Sequence, residues 1–294
     1  MGTINIGGGY SSSLIILFDS IRWEEKSIIE AAKKNDINLE IVDCKELVLF
    51  LNNKNMAFKN KVILQRCVSY FKSLHSTAAL EGLGARMINS FYTSVMCGNK
   101  LFSHMELQKQ GILTPNAFCS FSISSGIKGM SQLGYPVVIK PTVGSWGRLI
   151  GLLNDEEAAK TVLEDREHMF PIYHINYIEE FVKRPPRDIR AIVIGEDVVA
   201  AIYRYSGNAE WKTNMALGGH AEPCPITKEL EDICVKSAKI FKGDIVGVDL
   251  MESREHGLIV HEVNNTTEFK NTVRVTGTDI PSLILDYMVN ISKK

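Results

Sequence analysis

The chain has 294 residues, 45% of them apolar and 23% charged, with a net charge of −1. That length gives room for two or three compact subdomains with a sizeable core, and the near-zero charge argues against wrapping nucleic acid. No apolar run approaches the roughly 18–20 residues a membrane helix needs, and "SSSLIILF" lacks the basic n-region and small-residue cleavage site of a signal peptide.

"MGTINIGGGYSSS" is low in complexity and is expected to be a flexible extension over residues 1–13; its three glycines form no GxGxxG. "LIILFD" (14–19) reads as a strand, "IRWEEKSIIEAAKKN" as a helix ending at Asn35, "INLEIVD" (37–43) and "KVILQRC" (61–67) as strands, "STAALEGLGA" as a helix and "RMINS" as a short strand. Strands alternating with helices predict a small open α/β domain, taken as residues 14–95. "NKLFSHMELQKQGI" (99–112) is helical in period, and "TPNAF" is an extended exit. "YPVVIKPTVGSWGRLIGLL" (135–153) reads as strand, glycine loop, strand, followed by the helix "DEEAAKTVLEDREHM". Strands follow at "INYIEEFV", "RDIRAIVI" and "DVVAAIYRYS", then a long polar loop, a helix near 228–242, the strands "DIVGVDLM" and "LIVHEVN", and a last helix with Pro281 in its first turn. Two further subdomains are expected, 96–177 and 178–294. The six cysteines, Cys44, Cys67, Cys97, Cys119, Cys224 and Cys234, form no CxxC pair. Reduced thiols in a cytoplasmic protein are the simpler reading.

Five stretches could carry chemistry. In "DIVGVDLMESREHGLIVHEVN" a six-residue turn pairs Met251 with Leu258 and Asp249 with Val260, which puts Asp249, Glu262 and Asn264 on one face. Three oxygen donors there suit Mg²⁺, an ion that takes one or two carboxylates plus phosphates; a solvated edge face is the alternative. In "RDIRAIVIGEDVVAAIYRYS", pairing Ile194 with Val198 gathers Asp188, Arg190 and Arg204, either an anion clamp or a surface ion pair. Lys140 and the Gly144–Gly147 loop around Ser145 and Trp146 could hold phosphate and move as a lid, or be a plain hairpin turn. Lys100 starts a helix, where the dipole favours anions, so it is placed to serve a bound anion or is an ordinary exposed lysine. "EEFV" runs into a proline break whose free backbone groups could read an adenine edge.

In order, a lysine before a helix, "IKP", "GSWGR", "EEFV", "DIR", an aspartate and "EVN" resemble the ATP-grasp ligases of the RimK-like group, over about residues 14–294. More narrowly, "EWKTNMALGG" and "EVNNTTEFKNTV" followed by "TGTDIP" are similar to the LysX family, which joins 2-aminoadipate to the carrier protein LysW in lysine biosynthesis. The related ArgX family, which takes glutamate, is the close competitor, and some members accept both.

The resemblance implies the α/β (α+β) ATP-grasp fold, with a small N-terminal domain and two α+β subdomains clasping ATP. It implies ATP and Mg²⁺ as cofactors. Lys100 and Lys140 then match nucleotide-phosphate lysines, and Glu179, Glu180, Phe181 and Val182 the adenine hinge. Asp188 and Arg190 match a nucleotide- and substrate-side pair, Arg204 an arginine following the next strand, Asn214 an asparagine close to the phosphates, and Asp249, Glu262 and Asn264 the magnesium ligands; Arg190, Arg204 and Asn214 are the catalytic candidates. One departure is "TNMALGG" where RimK-type members have basic residues: Lys212 can replace one cation, but Ala216 and Leu217 cannot. A poly-glutamate activity is therefore not expected, and Asn265 and Lys270 become candidates for reading the substrate's distal carboxylate.

An acidic carrier would need a basic surface, for which "KKN" (33–35) and "KRPPR" (183–187) are candidates, a merely solvated face being the alternative. A related carboxylate–amine ligase and a non-catalytic ATP-binding module are the other readings. The complete set of two lysines and three metal ligands argues against the second. A homo-oligomer is the base-rate expectation.

Overall fold

A computed structural model describes residues 13–51, 57–144, 148–207 and 219–293. Residues 1–12 of the expected extension, and Ser145, Trp146, Gly147 and Asn214, lie outside the described residues.

The first sheet is parallel, in the order β2-β1-β3-β4: β1 (Leu14–Phe18), β2 (Leu39–Asp43), β3 (Val62–Gln65) and β4 (Arg86–Ile88). All five residues of β1 are buried, as a strand covered on both faces must be. Helix α1 (Trp23–Lys34) buries Ile28, Ala31 and Ala32. Its start is fixed by Glu25, whose carboxylate accepts from the Arg22 N–H and guanidinium, both at 2.8 Å, and Lys33 and Lys34 lie in its last turn, where the dipole favours cations. Strand order reverses between β1 and β3, and ligands of open α/β sheets bind at the carboxyl ends of strands at such a point. There the Asp19 carboxylate accepts from the Val68 and Ser69 N–H groups at the start of α2 (Tyr70–Gly82), at 2.8 and 3.2 Å.

Two helices the chain packs end to end follow, α3 (Phe91–Gly98) and α4 (Lys100–Lys109). The second sheet is antiparallel, in the order β5-β8-β6-β7: β5 (Ala117–Ser120), β6 (Val137–Lys140), β7 (Gly151–Leu153) and β8 (Asn176–Glu180). It is backed by α5 (Ile123–Leu133) and α6 (Glu156–Glu167). The expected boundary at 177/178 falls inside β8; the chain leaves this sheet only after Glu180, ahead of Pro185 and Pro186.

The third sheet, β11-β10-β9-β12-β13, is built from β9 (Arg187–Ile194), β10 (Asp197–Tyr205), β11 (His220–Pro223), β12 (Ile245–Ser253) and β13 (Gly257–Asn264), all antiparallel. Helix α7 (Lys228–Ile240) packs on one face. After the short α8 (Lys270–Thr276), α9 (Ile280–Ser292) returns to the N-terminal domain. Its Ile280, Ile284, Leu285 and Met288 join Leu14, Ile16, Val62 and Leu64 of the first sheet and Ile192, Ile194 and Ile245 of the third in one core. Each such side chain contributes about 1.5–3 kcal/mol on full burial, so the first and third sheets share a core. A buried ion pair adds to this junction: Arg66 bonds Glu25 at 3.0 Å and the Thr267 carbonyl at 2.9 Å.

Candidate active site

The third sheet lines up the expected residues, by a register that differs from the expected one at both hairpins. At the first hairpin Ile194 pairs with Asp197, not Val198, because the turn is Gly195-Glu196 alone. A bulge at Val199 then restores the expected pairs, Ile202 with Arg190 and Arg204 with Asp188. At the second hairpin the expected six-residue turn is replaced by three residues between Ser253 and Gly257. Glu252 pairs with Leu258 and Leu250 with Val260, so Asp249 does not face Val260. An extra residue at His261 then sets Asp249 directly opposite Glu262 and Gly247 opposite Asn264. A one-residue slip would have parted the carboxylates; the bulge shifts the register once more and keeps them on one face.

Two like charges opposite each other repel, so the site needs cations. Arg190, across from Asp249 on β9, grips both its oxygens, Nε to Oδ1 at 2.7 Å and Nη2 to Oδ2 at 2.6 Å. Arg204 adds Nη2 to Oδ2 at 3.2 Å and is itself held by Asp188 at 2.6 Å. The Asn264 amide also donates to Oδ2, at 3.3 Å. Asp249 is only 2% exposed. Burial would push its pKa up, but Arg190 and Arg204 outweigh it and hold the carboxyl well below the usual range. Burial works against Glu262 too, and Lys100 overcomes it and holds the pKa down.

Lys100 reaches this cluster from the second subdomain. It is the first residue of α4, behind the Asn99 cap, and its N–H bonds the Thr142 carbonyl. Its Nζ lies 3.1 Å from Glu262 Oε1 and donates to the Gly144 carbonyl at 2.8 Å. The helix-start lysine is therefore set over a carboxylate of the site.

These groups line one wall of a cavity of about 560 Å³. Asp188, Arg190, Arg204, Asp249, Glu262 and Asn264 line it, together with Lys100, Gly144, Asn265 and Lys270. The opposite wall comes from the N-terminal domain, including Arg22, Trp23, Val68 and Tyr70, at the strand ends described above.

Five expected residues are not on this wall. Lys140 is buried, ion-paired with Glu179, and 3.2 Å from His261 Nδ1. Glu179 also accepts from the Tyr177 hydroxyl at 2.8 Å, and that hydroxyl lies 3.1 Å from His104 Nδ1. Burial would raise the Glu179 pKa, but Lys140 overcomes it. Glu180 uses its carboxylate to accept from the Asn116 N–H, at 2.8 Å. The N–H groups of Glu180 and Phe181 already bond Asn116 and Pro136 carbonyls, so the hinge does not offer those two donors freely. Val182 packs with Met251 and Ile259. Within "KRPPR", Lys183 is exposed, but Arg187 is bound by Glu252 at 2.6 and 3.0 Å and covers the Tyr203 ring at 3.9 Å, which takes it out of a docking surface.

His261 was missed by sequence reasoning. In a regular strand it would face away from Glu262, and only the bulge lets both line the cavity. Burial, then Lys140, pushes its pKa down. The cavity wall from Arg22 to Tyr70 was missed as well, since no local motif marks it.

The sequence profile of the RimK-like ATP-grasp domain matches residues 97–288, and that of the LysX preATP-grasp domain residues 14–95. The chain belongs to the RimK-like ATP-grasp family. Among family relatives, the α-aminoadipate–LysW ligase LysX of Saccharolobus solfataricus is 38% identical over 93% of this chain and 99% of that protein. The glutamate–LysW ligase ArgX of Sulfurisphaera tokodaii is 31% identical over 94% of this chain and 97% of its own. A solved structure of the ATP-grasp ligase PsnB with a phosphomimetic precursor variant, Mg and ADP superposes with a TM-score of 0.75, at 15% identity, over 96% of this chain and 99% of that one. That likeness speaks for the fold, which is the ATP-grasp fold of the family.

Proposed function

We propose that this protein is an ATP-dependent ligase that joins the α-amino group of 2-aminoadipate to the γ-carboxylate of the C-terminal glutamate of a small acidic carrier protein, LysW. The observation that carries the reading is the near full-length match to α-aminoadipate–LysW ligases, higher than to the glutamate-specific ones. The cavity chemistry agrees with it.

In the first step the carrier carboxylate attacks the γ-phosphorus of ATP, ADP leaves, and an acyl phosphate forms. In the second, the substrate amine attacks the acyl carbon, phosphate leaves, and an amide remains. Every reactant of the first step is an anion, so stabilisation must be electrostatic. The site as built is already balanced: Asp188, Asp249 and Glu262 face Lys100, Arg190 and Arg204. A triphosphate adds charge that this set does not cover, which calls for a further cation.

The donors suit Mg²⁺. Both carboxylates are ionised, and among the described residues no cluster of three His, Cys, Asp or Glu competes for it. Among the described residues, Asp249 Oδ2 receives three donors and Oδ1 one, and the ion pair at Glu262 uses Oε1. Lone pairs therefore remain on Oδ1 and on Oε2. Asp249, Glu262 and the Asn264 amide oxygen would hold the ion, which when bound neutralises phosphate charge. Lys100 sits where it can spread phosphate charge from α4, while Arg190 and Arg204 do so from the sheet. Asp188 fixes Arg204. Asn265 and Lys270 line the same cavity, where they can read the distal carboxylate. The two walls exclude water from an acyl phosphate that would otherwise hydrolyse.

The test is ADP release and carrier mass after incubation with ATP, Mg²⁺, carrier and either amino acid. ADP formation that needs both carrier and 2-aminoadipate, with a matching mass gain, supports the proposal. A preference for glutamate moves the assignment to the ArgX type. Tight nucleotide binding without turnover under any pairing contradicts a ligase.

A further inference from the structure

We infer that His261 is a positioning residue for the Lys140 ammonium, held in that role by the bulge of β13. The inference rests on the ligase reading only for what Lys140 then serves, the nucleotide phosphates.

The register isolates His261. Leu250 pairs with Val260 and Asp249 with Glu262, so His261 is the one residue between them without a cross-strand partner in the ladder. Bulges beside active sites re-aim a side chain, and this one turns the imidazole toward β6. The ring Nδ1 lies 3.2 Å from Lys140 Nζ and 4.0 Å from Glu179 Oε2, while the residue also lines the cavity. Lys140 does not line it. It is buried behind His261 and bound on its other side by Glu179, which is fixed in turn by the Tyr177 hydroxyl.

An ammonium has donors and no acceptor. Nδ1 must therefore accept from it, and the ring proton resides on Nε2. The ammonium thus has two acceptors, a carboxylate from β8 and an imidazole from β13, on different subdomains. Glu179 alone would leave the ammonium with a single acceptor. The second acceptor fixes the ammonium and ties its position to the strand that carries Glu262. A lysine held from both subdomains is placed with respect to the acidic pair, which a phosphate-binding cation requires.

The test uses the full chain and three variants: His261→Asn, His261→Gln and His261→Leu. The Asn amide oxygen takes the place of Nδ1 and can accept from Lys140. The Gln amide lies near the place of Nε2 and leaves Lys140 with one acceptor. Binding of a non-hydrolysable ATP analogue with Mg²⁺ and the steady-state KM for ATP and kcat are measured. The Gln and Leu variants are expected to raise the analogue Kd and the ATP KM by about ten- to a hundredfold, the loss of a hydrogen bond to a charged group. Their kcat should change by less than about threefold, because the effect is on nucleotide binding. The Asn variant is expected within about threefold of wild type in both. If the Leu variant does not fold, the contrast between Asn and Gln decides. Wild-type binding with equal values in Asn and Gln variants overturns the positioning role alone. A wild-type chain that binds no Mg²⁺–nucleotide overturns the ligase reading, and this inference with it.

Discussion

Replacing Asp249 by Asn tests how the acidic pair is held. The carboxylate is 2% exposed and receives four donors, from Arg190 at 2.7 and 2.6 Å, Arg204 at 3.2 Å and Asn264 at 3.3 Å. The amide keeps one acceptor oxygen and turns the other position into a donor aimed at guanidinium groups. Removing one partner of a buried ion pair costs about 3–5 kcal/mol. Arg204 still has Asp188 at 2.6 Å, so the low end applies, about 3 kcal/mol. Glu262→Gln is the control. Glu262 has one ion-pair partner, Lys100, which keeps the Gly144 carbonyl, and its side chain is 21% exposed. That change costs about 1 kcal/mol or less. Urea unfolding followed by far-UV circular dichroism gives both values. The expected order is wild type, then Glu262→Gln, then Asp249→Asn about 2 kcal/mol lower still. Equal stabilities for the two variants would refute the claim that two arginines lock Asp249 into the sheet.

The acid limb of stability follows from the same carboxylates. Asp249, Glu262, Glu179 and Glu25 are all held below their ordinary values, against burial, by Arg190 and Arg204, Lys100, Lys140, and Arg22 and Arg66 in turn. Groups with a depressed folded pKa contribute stability that is present above the unfolded value, about 4, and is lost as pH falls through the folded one. The melting temperature should stay level from pH 7 to about 5 and drop below about 4; a decline that begins near pH 6 would point to histidine instead. Gly247→Ala places a methyl group into the Thr267 side chain, on the face that carries Asn264. It should cost about 1–3 kcal/mol as an overpacked site and raise the ATP KM more than the amino-acid KM, which steady-state kinetics will read. In the basic run, Lys183→Glu should weaken carrier affinity and its salt dependence, while Arg187→Ala should cost about 1 kcal/mol of stability and leave the salt slope unchanged; the reverse pattern would place the carrier elsewhere.

The strand that carries "EVN" and its partner were legible because alternation and charge are local properties. What was not legible was register. Two bulges, at Val199 and His261, each add a residue that no composition signal marks, yet both end with the expected side chains together. The constellation survived an incorrect turn because the errors at the turn and at the bulge act in the same direction and sum to an even shift. Lys140 shows the opposite limit. A lysine ending an apolar strand before a glycine loop reads as a phosphate ligand, and nothing local shows that Glu179 and His261, 39 and 121 positions away in the chain, hold its ammonium. At the hinge the proline break does leave β8, and the N–H groups of Glu180 and Phe181 are taken by carbonyls of neighbouring segments, pairings that no local signal marks. Helix α3 and the short α8 were missed because neither is long enough to show a period. The N-terminal wall of the cavity became visible only once α9 had joined the first sheet to the third.

If Asp249 and Glu262 share a divalent cation with the phosphates of a bound nucleotide, a crystal structure of the chain with ADP and Mg²⁺ will show an ion about 2.0–2.1 Å from an oxygen of each carboxylate, with the diphosphate between it and Lys100. A nucleotide bound elsewhere, or an ion that touches neither carboxylate while Arg190 and Lys100 keep them, would contradict it.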